Sequence, residues 1–429
     1  MVRVVSLNLK DFRGFSSIEL ALDRPLTVIV GVNGAGKSSL LDALAIALGR
    51  VVEQAKGRPV KTDAMLSAAI RRGRDGVALR VEVRYQGKLC AVEATAAAQG
   101  NGHDASAGNF LNWMGPPSGL PIAAEYLTMY FPANRAASPD LRTRWKETGP
   151  ADQGLGAMPE KTVPADAFEG ALGEGALGFH DLFRWFRERE DYENAEKVQR
   201  ASLAWSDPQL DAVRAAVTSL LPGFTRLRVD RTVLRMTVDK AGEPFALDQL
   251  SDGERTLLAM VADIARRLAI ANPGVDDVLG CETVVLIDEI ELHLHPSWQR
   301  TVLAALRRTF PRCQFVVTTH SPQVLSEVAN DAVVLLKDFA CFDPPAPTEG
   351  RDSNAILWEV LGVPARPAAV VAELDAVRDL LDADRVEEAR VLLDRLAEKL
   401  TERDPEVLRL RTDLDVITAL ESSPQESDP

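Results

Sequence analysis

The chain has 429 residues, 46% of them hydrophobic, and a formal net charge of −14 at pH 7. This length can bury one large core or two smaller ones, and the acidic balance argues against a protein coated in positive charge for nucleic acid. No run approaches the roughly 18 apolar residues of a membrane span, and the first residues lack a signal-peptide pattern. The four cysteines are far apart, which argues against a disulfide framework or a structural zinc. The sequence therefore predicts a cytoplasmic protein with no membrane partner.

The two ends of the chain differ in charge. Residues 1–110 contain 15 Lys or Arg and 10 Asp or Glu, whereas residues 366–429 contain 9 and 17. We therefore expect the two ends to have different partners. The basic end includes a cluster that can follow a nucleic-acid backbone or can simply be a solvated face. Its members are Lys56, Arg58, Lys61, Arg71, Arg72 and Arg74.

A phosphate-binding motif follows the first strand-like residues. Residues 28–38 read VIVGVNGAGKS, an apolar strand that runs into a G-x-x-x-x-G-K-S loop. Its glycines allow the tight, positive-φ path that aims backbone N–H groups at a phosphate; they are Gly31, Gly34 and Gly36. Lys37 is expected to reach the β- and γ-phosphates, and the Ser38 hydroxyl to bind Mg²⁺. The amphipathic stretch at residues 40–48 predicts the helix that this motif requires.

The middle of the chain predicts a loop-rich lobe. Two stretches rich in Gly, Ala and Pro, at about residues 97–120 and 136–178, indicate loops. The predicted elements are a β-hairpin, a short strand, a helical block and two further strands, at residues 77–85 with 89–94, 126–131, 181–221, 225–229 and 233–238. No sustained heptad repeat and no C-x-x-C hook lies between Ser38 and Ser251, so coiled-coil arms are not expected.

A second helix start lies at residues 250–255, which read LSDGER and precede an amphipathic stretch at 256–271. Ser251 and Glu254 have the spacing of a capping box, which any helix can use. The Ser251 hydroxyl, the Gly253 backbone and the helix N-terminus also form an anion site that can grip the γ-phosphate of a nucleotide held by another subunit. The motif alone is compatible with both explanations.

Two acidic residues end the apolar run at residues 284–287. Asp288, at the carboxyl end of this predicted strand, can hold Mg²⁺ through water. Glu289 can polarise the attacking water as a general base. The run therefore predicts the hydrolytic half of a nucleotide site.

Histidines occur in two further segments. Residues 291–296 read ELHLHP, but histidines two residues apart at a helix start would point in different directions, which argues against a metal site. Residues 314–317 predict another apolar strand, which leads to His320. A histidine at such a strand end can contact a γ-phosphate and respond to its loss.

The order of these motifs resembles the ABC-type ATPases of the SMC, RecF and OLD group, over most of residues 1–335. The resemblance implies that residues 250–254 are the signature, that 291–296 are the D-loop and that His320 is the switch histidine. It also places Arg13, in the F-R-G segment, near the phosphates. No Q-loop glutamine is identified, and the candidates are Asn134 and Gln153.

The site residues implied by this resemblance fall into three groups. The catalytic residues are Glu289 and His320, and the Mg²⁺ ligands are Ser38 and Asp288. The residues that bind ATP are Arg13, Gly31, Asn33, Gly34, Ala35, Gly36, Lys37, Ser38 and Ser39, with Ser251, Gly253 and Glu254 supplied by a second subunit.

Within that group the chain is similar to the PtuA family, the ATPases of Septu and retron anti-phage systems. The likeness rests on the missing arms, the L-F-R-W-F run at 182–186, the M-Y-F-P-A-N-R run at 129–135 and the acidic C-terminal helices. It implies an ATP-hydrolysing, head-to-head dimer or higher assembly that controls an HNH nuclease partner of the PtuB kind. Two other functions stay open: a RecF- or SMC-like DNA-repair ATPase that binds DNA, and an ATP-bound scaffold without turnover that restrains an effector.

The predicted fold class is α/β, an ABC-type P-loop ATPase head with a mixed central sheet, flanking helices and an antiparallel β lobe. We expect a short helical insertion without arms and a C-terminal helical extension for partner binding or oligomerisation. The predicted boundaries are 1–96 for the first ATPase lobe, 97–240 for the insertion, 241–335 for the second lobe, 336–365 for a linker, 366–421 for the extension and 422–429 for a disordered tail.

Overall fold

The strands of this chain form three sheets. The computed structural model describes residues 2–55, 62–85, 87–97, 127–135, 163–172, 179–364 and 366–422. The described strands are β1 Val2–Phe12, β2 Phe15–Ala21, β3 Leu26–Val30, β4 Gly76–Tyr85, β5 Lys88–Ala97, β6 Thr128–Phe131, β7 Phe224–Asp230, β8 Arg235–Lys240, β9 Glu243–Ala246, β10 Val284–Ile287, β11 Gln314–Thr319, β12 Val333–Lys337 and β13 Ala340–Phe342.

Helices of the described residues are numbered in the same way. They are α1 Lys37–Ala55, α2 Thr62–Ala68, α3 Phe179–Gln199, α4 Pro208–Leu220, α5 Asp252–Ala271, α6 Pro296–Thr309, α7 Pro322–Leu325, α8 Ser353–Glu359, α9 Ala368–Asp382, α10 Val386–Leu400 and α11 Pro405–Ser422. None of these helices combines the length and the apolar character that crossing a bilayer demands. The chain divides into two compact units, Met1–Ile356 and Leu357–Pro429.

The central sheet has six strands in the order β13-β12-β3-β11-β10-β6. Strand β3 pairs in parallel with β11 and β12, β10 pairs in parallel with β11 and β6, and β13 runs antiparallel to β12. Every residue of β3 and β10 is buried, which explains the unbroken apolar runs, because parallel strands are covered on both faces. The predicted mixed central sheet is confirmed.

An antiparallel sheet in the order β2-β1-β4-β5 forms the predicted β lobe. Buried and exposed positions largely alternate along β2, as expected for a sheet with one solvated face. The Gln314 amide on β11 joins this lobe to the central sheet. Its Oε1 accepts from the Val4 amide at 2.7 Å, and its Nε2 donates to the Val4 and Leu22 carbonyls at 2.9 and 2.7 Å. This buried glutamine therefore fixes how the two sheets of the unit meet.

Helices α3 and α4 occupy the predicted helical block, and the three-stranded sheet β7-β8-β9 follows them. Four apolar side chains early in α3 are buried, as are five on α4. Arg214 of α4 forms ion pairs with Glu190 and Glu193 of α3. The two helices thus form a short lobe rather than the long arms of a coiled coil, which confirms that part of the predicted fold class.

Two predicted boundaries need correction. Strand β6 lies within the predicted insertion at 97–240, yet it pairs with β10 in the central sheet. The predicted linker at 336–365 is also not a linker at its start, because β12 extends to Lys337 and turns back through β13. The strand at β6 was predicted, but its pairing with β10 depends on a distant part of the chain, and β13 has only three residues, too few for an alternating pattern.

Segment 163–172 covers the outer edge of β6. The Tyr130 amide donates to the Ala171 carbonyl at 2.7 Å, and Arg267 of α5 donates to the Ala167 and Glu169 carbonyls at 2.6 and 2.7 Å. Arg267 is itself held by Asp263 at 2.8 Å. Burial raises the pKa of Asp263, but the charges of the neighbouring arginines outweigh it and lower the pKa to about 2. A buried ion pair therefore holds this segment on the sheet edge.

Several predictions fall wholly or partly outside the described residues. Lys56, Arg58, Lys61 and Gln153 lie there, as do residues 423–429 of the predicted tail. Of the other basic residues, Arg74 pairs with Asp11 at 3.2 Å. The proposal of a nucleic-acid surface at this cluster therefore stays a prediction.

The second unit is a bundle of α9, α10 and α11 around one apolar core. Apolar residues that recur at helical spacing supply that core, which consists of Val370, Leu374, Val377, Leu381, Val386, Ala389, Leu393, Leu396, Ala397, Val407, Leu410 and Leu414. Asp404 caps α11 by accepting from the Glu406 amide at 3.0 Å. The spacing of Asp384 and Glu387 in the sequence predicts a cap for α10, but this prediction is wrong, because Asp384 has φ 56° and α10 begins after Arg385 instead.

Candidate active site

The predicted motifs meet at the carboxyl edge of the central sheet. Strands β3, β11 and β10 are neighbours in that order, and all three are parallel. Strand β3 leads into the phosphate loop, β11 leads to His320, and β10 leads to Asp288. In an open α/β sheet this edge is where ligands bind.

The phosphate loop has the backbone that its glycines allow. Gly34 and Gly36 have φ 82° and 104°, in the left-handed region that side chains disfavour. A Cβ on Gly31 would lie 2.2 Å from the Leu336 carbonyl oxygen of β12, so this glycine lets two strands approach closely. The Lys37 ammonium lies inside the loop and donates to the Gly31 and Val32 carbonyls at 3.0 and 3.2 Å.

Lys37 is buried and lies within the field of three carboxylates. Burial lowers the pKa of Lys37, and the charges of Asp288, Glu289 and Glu291 oppose that shift. The side chain has a relative accessibility of 6%. Because little water reaches the Lys37 ammonium, its attraction for an anionic ligand would be only weakly screened.

Asp288 and Glu289 form the turn at which the chain leaves β10. Asp288 is buried, and its Oδ1 accepts from the Thr318 hydroxyl at 2.5 Å. The same hydroxyl accepts from the Glu289 amide at 2.7 Å. Glu289 has φ 47°, an unusual conformation for a residue with a side chain, and such strain gathers at functional sites. Thr318 therefore orients both acidic residues from the neighbouring strand.

An arginine in the turn that follows β6 contacts the same turn after β10. Arg135 donates through Nη1 to the Asp288 carbonyl and through Nη2 to the Glu289 carbonyl, the latter at 2.7 Å. Its side chain has a relative accessibility of 2%. Asn134, the candidate for the Q-loop position, is exposed beside it. The end of β6 thus belongs to the candidate site.

Glu291 connects the predicted D-loop to His320. Its carboxylate accepts from the Thr319 hydroxyl at 2.8 Å and from the His320 amide at 2.5 Å. Burial lowers the pKa of His320 and the charge of Lys37 lowers it further, which outweighs the opposing charges of Glu291, Glu289 and Asp288. His295 caps α6 by accepting from the Ser297 amide at 3.3 Å. Within the described ranges no cluster of three or more His, Cys, Asp or Glu could hold a metal by itself.

Arg13 lies beside the first turn of α1. Its guanidinium donates to the Ser39 hydroxyl at 3.2 Å and to Asp42 at 2.5 Å. The Tyr130 hydroxyl of β6 also donates to Asp42, at 2.8 Å. Asp42 therefore connects Arg13 to the central sheet.

An aromatic pair closes the phosphate loop from the side. Phe15 and Phe339 pack edge to face, with ring centroids 5.3 Å apart. Phe339 lies in the turn between β12 and β13, and a Cβ on Gly14 would be 2.0 Å from its ring. A Cβ on Gly36 would be 2.6 Å from the Phe15 ring. Both glycines therefore make room for the aromatic rings.

The predicted signature forms the start of α5. Ser251 accepts from the Glu254 amide at 3.4 Å, and the Glu254 carboxylate accepts from the Ser251 amide at 3.1 Å, which confirms the capping box. Burial raises the pKa of Glu254, but hydrogen bonds from Lys240 and Ser251 outweigh this and lower it. A Cβ on Gly253 would lie 2.3 Å from the His293 carbonyl oxygen. The glycine thus lets the helix start pack on the predicted D-loop.

The structure brings most of the predicted site residues together. One group surrounds the phosphate loop and the adjacent strand ends; it consists of Arg13, Gly31, Asn33, Gly34, Ala35, Gly36, Lys37, Ser38, Ser39, Asp288, Glu289 and His320. Ser38 and Asn33 are exposed in the loop. Ser251, Gly253 and Glu254 form a separate group, whose side-chain partners are each other and Lys240.

The donor set of the first group fits a nucleoside triphosphate with Mg²⁺. A left-handed glycine loop, a buried lysine and a helix N-terminus are suited to phosphate oxygens. The Ser38 hydroxyl and the Asp288 carboxylate are oxygen ligands of the kind that Mg²⁺ prefers. When bound, the metal would neutralise charge on the β- and γ-phosphates.

Sequence reasoning missed four polar residues of this site. They are Asp42, Tyr130, Arg135 and Thr318. The F-P-A-N-R run that contains Arg135 supports the likeness to the PtuA family, but it does not predict that Arg135 contacts the turn after β10. Asp42 has the i,i+3 spacing from Ser39 that places both on one helix face, a signal that was present in the sequence.

Two family models and several curated proteins are similar to this chain. A family model described as "AAA domain, putative AbiEii toxin, Type IV TA system" matches residues 138–326, and one described as "AAA domain" matches residues 6–95. The chain is 29% identical to "Retron Ec83 probable ATPase" of Escherichia coli, over 85% of this chain and 77% of that protein. It is 22% identical to "Septu protein PtuA" of Bacillus thuringiensis, over 78% and 76%.

A solved structure, an SMC head bound to the C-terminal winged-helix domain of ScpA, aligns with a TM-score of 0.45 at 16% identity, over 79% of this chain and 96% of that one. The sequence matches, the motifs and the sheet together support an ATPase of the SMC/RecF/OLD type. Within that class the chain is related to PtuA and to the retron ATPases.

Proposed function

We propose that the chain binds and hydrolyses ATP with Mg²⁺ in a nucleotide-sandwich dimer and serves as the ATPase of an anti-phage defence system. The observation that carries this proposal is the meeting of Lys37, the Asp288–Glu289 turn and His320 at three neighbouring strand ends. The charges of Asp288 and Glu289 act on the pKa of both Lys37 and His320, and the charge of Lys37 lowers the pKa of His320. Phosphate binding and water activation therefore have their parts at one edge of one sheet.

Each residue of the first group has a defined task in this proposal. The loop amides and Lys37 hold the β- and γ-phosphates, and Arg13 acts on them from beside the first turn of α1. Ser38 and Asp288 hold Mg²⁺. Glu289 accepts a proton from the attacking water, and neutral His320 donates a hydrogen bond to the γ-phosphate.

The second group acts on the nucleotide of the partner subunit. The exposed Ser251 hydroxyl, the Gly253 amide and the positive end of α5 cap the γ-phosphate held by the other chain. Glu254 fixes Ser251 in place through the capping box. Support comes from the order of the motifs and from the separation of this group from the chain's own phosphate loop.

The defence role rests on the relatives that are named as retron ATPase and Septu PtuA. We propose that the acidic C-terminal bundle binds a nuclease effector of the HNH class, because it is a compact unit with its own core. ATP binding and release by the dimer would then control the effector. Multiple turnover stimulated by DNA, with no effector gene next to this one, would favour a repair ATPase instead.

The test compares the parent protein with Glu289→Gln and with a control change of an exposed glutamate, Glu243→Gln. We expect Glu289→Gln to slow steady-state phosphate release by roughly 10²–10⁴-fold while ATP binding is retained. The control should match the parent. Phosphate release by Glu289→Gln near the parent rate would refute the role of Glu289. A parent that retains one ATP per site and releases none would indicate a scaffold.

A further inference from the structure

Arg135 stands at the end of β6, 153 residues before the acidic turn that it contacts. The short turn at residues 132–135 is closed by the Arg135 amide, which donates to the Pro132 carbonyl at 3.1 Å. From there the buried side chain reaches the carbonyls of Asp288 and Glu289.

The sheet ends beside these two carbonyls. The last ladder contact between the strands is the Asp288 amide, which donates to the Phe131 carbonyl at 2.9 Å. At Glu289 the chain takes φ 47° and leaves the sheet, and the Glu289 carbonyl also accepts from the Leu292 amide at 2.9 Å. The buried Asp288 carbonyl requires a hydrogen bond, and the guanidinium supplies it while its second donor reaches the Glu289 carbonyl in a fixed planar fork.

The positive charge of Arg135 lies close to three negatively charged carboxylates. Burial lowers the pKa of Arg135, and the charges of Asp288, Glu291 and Glu289 oppose that shift. The guanidinium thus lies among the carboxylates on which hydrolysis depends. A shorter or neutral side chain would lose both the fork and this compensation.

We propose that Arg135 is a positioning residue that holds the Asp288–Glu289 turn, and thereby the two carboxylates, in the orientation that ATP hydrolysis requires. It makes the end of β6 part of the catalytic unit, because a movement of residues 132–135 would be transmitted to Glu289. The role of Arg135 in catalysis rests on the proposed ATP hydrolysis. Its role in holding the Asp288–Glu289 turn in place does not.

The test uses Arg135→Lys in the full chain, which keeps the charge and removes the fork. The matched control is Arg267→Lys, because Arg267 is also buried and also donates to two backbone carbonyls, those of Ala167 and Glu169. Two readouts are combined: amide hydrogen exchange in the absence of nucleotide, and kcat measured together with the ATP dissociation constant.

We expect Arg135→Lys to speed exchange of the Glu289 and Ile290 amides about tenfold to 100-fold, since their bonds to Thr318 depend on the turn. We expect kcat to fall roughly 10²-fold, because a misplaced catalytic group loses about that much, with ATP affinity retained. Arg267→Lys should change neither.

Unchanged exchange at both amides would overturn the inference, as would equal effects from the control. If the parent protein does not hydrolyse ATP, the proposed function fails, yet the exchange readout still decides the role of Arg135. If Glu289→Gln stops hydrolysis while Arg135→Lys leaves kcat at the parent value, only the Arg135 inference fails.

Discussion

Two helix N-termini in the ATPase unit follow glycine-containing motifs, and they differ in what they leave for a ligand. Before α1, Gly34 and Gly36 bend the chain into the left-handed region, and Lys37 is buried among opposite charges. Before α5, Ser251 and Glu254 satisfy each other in an ordinary capping box. In the proposed function the first is a phosphate site that one chain builds alone. The second is complete as a helix cap, and we propose that it takes part in a nucleotide site only against another molecule.

The electrostatic surroundings differ in the same way. The start of α1 faces the ends of β10 and β11, where acidic residues and His320 converge. At the start of α5 the negative charge of Glu254 is balanced locally, because its carboxylate pairs with the Lys240 ammonium at 2.7 Å. Changes at α1 should therefore affect nucleotide binding by separate chains, whereas changes at α5 should affect only assembly and turnover.

The largest effect is expected from Lys37→Met. Loss of hydrogen bonds from a charged group costs about 1.5–3 kcal/mol, so ATP affinity should fall roughly 10–10²-fold. Lys240→Met, which removes the cation beside α5, should leave the affinity of separate chains unchanged. Equilibrium binding of a fluorescent ATP analogue with Mg²⁺ measures both, and equal losses would remove the distinction between the two helix starts.

The next largest effect is expected when Gly34 or Gly36 of the phosphate loop is replaced by alanine. Both have positive φ, so each change should cost about 1–3 kcal/mol of strain. Gly36→Ala should lower the free energy of unfolding further, because its Cβ would lie 2.6 Å from the Phe15 ring, whereas a Cβ on Gly34 meets nothing within 4 Å. Urea unfolding compares the two variants. Equal destabilisation would show that the aromatic pair does not confine the loop.

Ser251→Ala should have a smaller effect on stability and a selective effect on function. Loss of the cap costs about 1 kcal/mol in unfolding experiments. ATP affinity of separate chains should match the parent, whereas turnover should fall because the hydroxyl no longer reaches the partner's nucleotide. A variant with parent turnover would make Ser251 a helix cap and nothing more.

The smallest effect is a change in the pKa of His320. Burial and the Lys37 charge both lower it, so Lys37→Met should raise the pKa and leave more imidazolium near pH 6. An NMR titration of the histidine ring signals measures this, with His320→Gln to assign the resonance. An unchanged or lower pKa would show that Lys37 does not act on His320.

The parts of the site that the sequence predicted are those with a local pattern. Lys37, Asp288 and His320 each follow an apolar run that marks a buried strand, so both the element and its end were visible. The stripes of the C-terminal bundle were visible for the same reason. Local patterns fail where a turn uses unusual residues. Asp338 and Phe339 both have positive φ in the hairpin of β12 and β13, a place where Asn-Gly would have signalled the turn.

Contacts between distant segments could not be predicted. Arg135 is a single arginine, and its partners lie 153 and 154 residues later in the chain. Gln314 reaches 310 residues back to Val4. Neither residue stands out in its own segment, because their roles follow from the order of strands in the sheet. Strand β9 was missed as well, since its sequence EPFA lacks a β pattern.

The structure of the Glu289→Gln protein with ATP and Mg²⁺ tests the central claim most directly. The account predicts two chains with two enclosed nucleotides, each held by the phosphate loop of one chain and within hydrogen-bond distance of Ser251 of the other. ATP bound in lone chains, with Ser251 facing solvent and far from every triphosphate, would contradict it.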